Sequence, residues 1–498
     1  MVNVTDVTGP ATTQSAQRDE VGVPPACGGE SGNQAQPTET IGSWRALLGP
    51  RFLGVSTLLA GGVALYAINE FLTASLLPST VADIGGERLF AWVTTLYLVG
   101  SVVAATTVSA ALVRLGARSS YLLGLAVFGI GSVVCAAAPN MEVLLAGRTL
   151  QGAAGGLLAG LGYALISAGL PQALWTRASA LVSAMWGVAT VVGPATGGFF
   201  AQFGLWRWAF GAVAMLTAAM AALVPMVLPA GRADSDGAAP ALKIPVWSLV
   251  LLGTAALTVS VAQVPHDSVA TTALLTVSVL LVAVFLVVDR RMPVAVLPPS
   301  AFGSGPLRWI YLTMAVLMAS AMADMYVPLF GQRLAHLVPV VAGFLGAALA
   351  VGWTVSEIAS ASLSSGRVIA RVVAAAPLIM AVGLALGAVT QVDDASIGVV
   401  VLWTVALTIT GAGIGAAWPH LSAWAMSCVD DAEDGGAAAA AINTVQLISG
   451  AFGAGLAGVV VNSAHGGVVV AARWLFAVFA ALGIVGAVAS YRASRGQR

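Results

Sequence analysis

Val143-Leu144-Leu145-Ala146-Gly147-Arg148-Thr149-Leu150-Gln151-Gly152 sets one arginine in an apolar run, and no other charge lies between Val143 and Leu174. A charge at the centre of a membrane helix costs from about 3 to more than about 10 kcal/mol. A chain that keeps one there uses it to bind, to pair or to relay protons. The surrounding composition places this stretch in a bilayer. The chain has 498 residues, of which 58% are hydrophobic and only 8% charged. Its mean hydropathy is +0.93. Soluble domains carry about 25% charged residues, so this is an integral membrane protein. Formal net charge is zero, which gives no electrostatic case for nucleic acid. Cys27, Cys135 and Cys428 have no metal-like spacing, and Cys135 and Cys428, in or beside apolar segments, read as packing residues.

Residues 1–43 are polar and rich in Gly, Pro, Thr and Gln, a composition expected of a disordered cytoplasmic tail rather than a signal peptide. A spanning helix needs about 20 mainly apolar residues. Segmentation at charges, prolines and turn residues gives fourteen spans: 53–77, 90–112, 120–138, 141–169, 178–202, 208–228, 244–264, 269–288, 309–330, 339–361, 372–391, 396–424, 436–461 and 470–491. With the N-terminus inside, 16 of the 21 basic residues fall on the cytoplasmic side and Arg88, Arg207, Arg333 and Arg473 outside. Both termini are therefore expected in the cytoplasm. The order is a six-helix bundle at 44–230, a cytoplasmic linker at 231–243, and an inserted two-helix hairpin at 244–291 that turns at Pro265-His266-Asp267-Ser268. A second six-helix bundle at 292–492 and a cytoplasmic C-terminus at 493–498 follow. Two like halves with an inserted pair is a transporter plan.

Particular motifs extend this reading. Trp92-Val93-Thr94-Thr95-Leu96-Tyr97-Leu98, Gly147-Arg148-Thr149-Leu150-Gln151-Gly152, Gly193-Pro194-Ala195-Thr196-Gly197-Gly198 and Trp206-Arg207-Trp208-Ala209-Phe210 resemble motifs of the major facilitator superfamily, specifically its fourteen-helix drug:proton antiporters. The resemblance covers about residues 50–492 and extends to mycobacterial multidrug efflux proteins of this type. The resemblance implies an all-α fold with fourteen transmembrane helices, two six-helix bundles plus the inserted pair. It implies a proton-coupling role for Arg148, an antiporter motif at Gly193, Pro194, Gly197 and Gly198, and a gating loop at Arg114, Gly116 and Arg118. A mid-helix proline and flanking glycines permit a kink and close helix approach on their own account. Two positions depart from the pattern. Val113 stands where the family's loop carries an aspartate, and Asn69, with Glu70 beside it, aligns with a first-helix aspartate.

Four ionisable groups sit well within predicted spans: Glu70, Arg148, Asp324 and Glu357. At about 1.5 Å per residue, the first three lie about 10–12 Å below the outer boundary. In the family the helices carrying them line the central cavity. Tyr66, Asn69, Glu70 and Thr73 form one polar stripe on the first span. We expect Glu70 and Arg148 to interact across the first and fourth spans, with Asp324 the less compensated acid and the readier proton carrier. A static Glu70–Arg148 pair is the structural alternative. Glu357 is either a second proton site or a solvated vestibule acid, and His420 is expected to be a hydrogen-bonded packing residue. The substrate cavity is expected to draw on Tyr66, Asn69, Thr73, Trp92, Gln151, Met322 and Met325. Met314, Met318, Met322 and Met325 form a stripe with Tyr311 that is core or lipid-facing if Asp324 points inward. Trp92, Trp186 and Trp353 offer stacking faces for aromatic drugs.

The function expected is secondary active export of amphiphilic or aromatic drugs, quinolone-like or cationic, from the cytoplasm in exchange for protons. The alternative is transport of one metabolite or lipid on the same scaffold. An enzyme or sensor is disfavoured, because there is no HExxH, Walker-type loop or soluble catalytic domain. The expected partners are small-molecule drugs, protons and the bilayer. No cofactor or metal is expected, the proton gradient being the energy source. A monomer in the cytoplasmic (inner) membrane is expected.

Overall fold

The structure, a computed structural model, describes residues 44–105, 107–228, 245–263, 267–292, 295–297, 299–303, 305–363, 365–427 and 432–495. The 1–43 tail, the 231–243 linker, Pro265 and His266 of the hairpin turn, Cys27 and Cys428 lie outside these residues. A short turn, α1 (Trp44–Leu47), precedes the first half: α2 (Leu53–Ile84), α3 (Trp92–Ala105), α4 (Val108–Ala136), α5 (Met141–Gly169), α6 (Gln172–Gln202) and α7 (Trp206–Val227). The inserted pair is α8 (Val246–Val261) and α9 (Ser268–Asp289). The second half comprises α10 (Leu307–Ala321), α11 (Val327–Ala335), α12 (Pro339–Ala361), α13 (Gly366–Thr390), α14 (Ile397–Ser427), α15 (Ala432–Ser463) and α16 (Val468–Arg495). Twelve helices among the described residues are long and apolar enough to cross a membrane. Two more, Met141–Gly169 and the 16-residue Val246–Val261, lie where the sequence predicts spans.

Capping sets some boundaries. Asn140 accepts the Val143 N–H at the start of α5, and Asp267 accepts that of Val269 at the start of α9. Two predicted boundaries are corrected. The second predicted span is divided between α3 and the start of α4, and the corner that separates it from the third falls at Gly116, whose φ of 73° and ψ of 167° suit only glycine. The span at 309–330 is not one helix. It breaks into α10, a 3-10 turn at Met322–Tyr326 and α11, whose first turn holds Pro328. Asp324 lies in that break.

The halves repeat in packing where their sequences barely do. In the first half α2 packs on α6, α3 and α4 on α5, and α4 on α7; in the second α10 packs on α15, α12 and α13 on α14, and α13 on α16. Glycines make both versions possible. A Cβ at Gly152 or Gly156 would strike the Tyr97 or Ser101 carbonyl of α3. One at Gly411 or Gly415 would strike the Leu349 or Trp353 carbonyl of α12. The halves meet through α6 against α12 and α3 against α15, and α8 packs on both members of the latter pair.

Candidate functional site

Arg148 is 1% exposed and its environment is built by four helices, α2 to α5. Its own helix supplies Gln151, three residues on, whose Oε1 accepts from Nη1 at 2.9 Å. From α3, the Val93 carbonyl accepts from Nε at 3.4 Å, and the Tyr97 ring lies 4.1 Å from the guanidinium carbon. Such a contact is worth about 2 kcal/mol or more when desolvated. Gln151 is itself held, its Nε2 donating to Ser132 Oγ at 2.9 Å and its Oε1 also accepting from Asn69 at 3.4 Å. Tyr97 donates its hydroxyl to the Tyr66 carbonyl and stacks on the Tyr66 ring at 5.3 Å. Cys135, fully buried, has its Sγ 3.7 Å from Gln151 Oε1, a packing role.

The expected interaction between Glu70 and Arg148 takes no contact form here. No ion pair joins them, and the guanidinium is held by an amide, a carbonyl and an aromatic face. Glu70 is half-buried and close enough for its charge to act on Arg148 through space. Asp324 stands apart from this group. Its Oδ1 is buried without a hydrogen-bond partner, 3.7 Å from where a Cβ on Gly346 of α12 would be. The structure thus offers one charge held by neutral groups, one nearby acid, and one isolated acid in the other half. An unpartnered buried carboxyl is a costly feature to keep.

The remaining predicted residues separate into groups. Asn69, Thr73 and Gln151 are buried; Asn69 and Gln151 join the Arg148 network, whereas Thr73 donates to the Asn69 carbonyl of its own helix. Met325 is in the main core, and Trp92 packs against it with its Nε1 unpartnered. Tyr66, Trp186 and Met322 come together with Tyr97 and Leu98. Trp186 meets the Tyr66 ring edge-on at 5.8 Å. Met314 and Met318 are core, so the methionine stripe is not lipid-facing. Glu357 accepts from Trp353 Nε1 at 3.0 Å, and Trp353 packs on Trp418 at 5.3 Å. His420 lies 2.8 Å from Ser360 Oγ, the packing arrangement expected.

The segment 193–198 faces two ways. Cβ atoms on Gly193 and Gly197 would press into Phe71 and Leu72 of α2, and one on Gly198 into the Val340 backbone of α12. The segment thus brings α6 against both halves. Other links cluster around the ends expected to lie outside. Phe90 stacks on Tyr326 at 4.7 Å, Arg333 pairs with Glu87, and Asn462 donates to the Arg88 carbonyl. Arg114 is exposed beside the Gly116 corner, while the Val113 side chain is outside the description. The sequence reading missed the Phe90–Tyr326 contact and Asp289, a fully buried carboxylate that accepts from Ser248 and from the Val296 and Leu297 N–H groups.

The Major Facilitator Superfamily model matches residues 59–454. Over 467 residues the chain is 69% identical to a protein named probable multidrug-efflux transporter in Mycobacterium tuberculosis, in strains CDC 1551 / Oshkosh and ATCC 25618 / H37Rv, covering 93% of this chain and 99% of each relative. A solved D-xylose-proton symporter superposes with a TM-score of 0.64 at 13% identity, covering 90% of this chain and 99% of its own. A POT family transporter in complex with 5-aminolevulinic acid gives 0.64 at 12% identity, with 88% and 94% covered. At such identities the likeness concerns fold.

Proposed function

Because the chain belongs to the Major Facilitator Superfamily, and is a multi-pass membrane transporter rather than an enzyme, we propose that it exports amphiphilic, aromatic or cationic drugs from the cytoplasm in exchange for protons. The observation that carries this reading is the buried Arg148, held by neutral groups within electrostatic reach of Glu70 while Asp324 lies unpartnered in the opposite half. A half-buried acid one helical turn from Tyr66, whose ring meets Trp186, suits a flat, cationic substrate, because aromatic faces accept varied shapes. Substrate arriving at Glu70 changes the field at Arg148. A proton taken by Asp324 neutralises a carboxyl that has no other compensation.

The scaffold for this exchange has fourteen crossing helices, the inserted pair included, with both termini in the cytoplasm and the protein in the inner membrane. Residues 44–230 and 292–492 move as two bundles around the hairpin at 244–291. The ties among Glu87, Phe90, Tyr326 and Arg333 support a conformation closed on the outer side. Proteoliposomes with an imposed pH gradient test the reading. Accumulation of a fluorescent cationic drug should follow the gradient and collapse with a protonophore. Transport of no tested drug with any dependence on that gradient would overturn it.

A further inference from the structure

Outer-side arginines and those at the opposite ends of α10 and α16 are treated differently. Arg207 is bound to Asp83, Arg333 to Glu87, and Arg473 donates twice to the Gln391 carbonyl. At the start of α10, Arg308 is exposed with its guanidinium carbon 5.2 Å from the Trp309 ring centre. Arg492 reaches the same ring from α16, at 4.5 Å, and Arg495 lies 4.7 Å from the half-exposed Tyr491 ring. Helices α10 and α16 pack together, so the three belong to one patch. None has a carboxylate partner among the described residues. The nearest acid preceding Arg308 in sequence, Asp289, is fully buried and occupied by Ser248 and two backbone N–H groups.

A guanidinium lying on an aromatic face keeps its edge N–H donors free, and that edge matches the oxygens of a phosphate. Tryptophan and tyrosine sit at headgroup level in membrane proteins, and basic pockets between helices on the cytoplasmic side hold anionic headgroups. We propose that Arg308, Trp309 and Arg492 form a site for the phosphate of an anionic phospholipid in the cytoplasmic leaflet, with Arg495 at its edge. This rests on the proposed topology but not on the proposed cargo. A lipid seated there bridges the first and last helices of the second half, so its headgroup holds α10 against α16.

Native mass spectrometry of the full-length protein, released from micelles containing equal phosphatidylglycerol and phosphatidylcholine, measures the retained ratio of the two. The native chain should prefer phosphatidylglycerol. At about fivefold per arginine, the Arg308→Gln, Arg492→Gln double variant should lower the ratio about thirtyfold, with an unchanged melting temperature in phosphatidylcholine alone. Should that variant not fold, each single change should lower the ratio about fivefold. An unaltered ratio in folded variants overturns the site. Displacement of the lipid by excess inorganic phosphate also overturns it, in favour of a free-anion site. Neither readout involves transport, so failure of drug export leaves this test intact.

Discussion

Gly198→Ala should open the outer side of the transporter. A Cβ on Gly198 would lie 2.5 Å from Val340 Cα, 2.9 Å from Val340 N and 3.1 Å from the Pro339 carbonyl. Relaxed carbon–carbon contacts are about 3.5–4.0 Å, so the first of these is short by about 1 Å or more. The opposing atoms are backbone at the start of α12 and cannot rotate away. Overpacking of this kind costs about 1–3 kcal/mol. The contact joins the two halves, so the penalty falls on the proposed outer-closed arrangement and disappears when the halves separate there. A bias of that size shifts a two-state equilibrium about 5- to 150-fold. Ser75 reports it: it is 1% exposed, and a Cβ on Gly343 of α12 would approach its Oγ to 2.6 Å. In a chain whose three native cysteines are serine, Ser75→Cys should react with an externally added, impermeant maleimide at least fivefold faster when Gly198→Ala is present. Gly187→Ala, where a Cβ meets nothing within 4 Å, should leave the rate unchanged. Equal labelling with Gly198 and Ala at position 198, in folded protein, would refute the reasoning.

Three further outcomes follow from the site and its supports. Tyr97→Phe keeps the ring under Arg148 but removes the hydroxyl bond to Tyr66, costing about 1 kcal/mol, whereas Tyr97→Leu also loses the cation–π contact and about 2 kcal/mol more; thermal melting in detergent should rank them in that order. Gln151→Leu strips Arg148 of its shortest hydrogen bond, and charge-assisted bonds are worth about 1.5–3 kcal/mol; it should lower the melting temperature and drug export together, and normal export would show the amide to be dispensable. Asp289→Ala leaves Ser248 and two N–H groups without their acceptor, at about 1–3 kcal/mol each, so yield of folded protein should fall sharply on size exclusion.

Much of this architecture was legible from apolar run lengths, since bilayer thickness fixes helix length and charges mark the ends. Helix α5 begins and ends at the predicted residues because Asn140 caps it and Pro171 follows. Less visible was the break at Met322–Tyr326, because no glycine or proline lies within that turn; Pro328 on the next helix was the available sign. Arg148's hydrogen-bond partner was missed for a related reason. Opposite charges drew attention to Glu70, although Gln151 stands three residues away on the same face of one helix, where side chains meet. Asp289 escaped notice because a carboxylate followed by two arginines at a span end reads as solvated. Its burial depends on backbone N–H groups seven and eight residues onward, which no helical periodicity encodes.

Exchange itself is the most direct test. In proteoliposomes without an imposed gradient, carrying a pH dye inside, a drug gradient should drive protons in the opposite direction, because coupling between two ligands is reciprocal. The native chain should show drug-driven proton movement, and Glu70→Gln, Asp324→Asn and the double variant should each lose it. Drug flux without proton movement in the native chain, or undiminished proton movement in the double variant, would contradict the account.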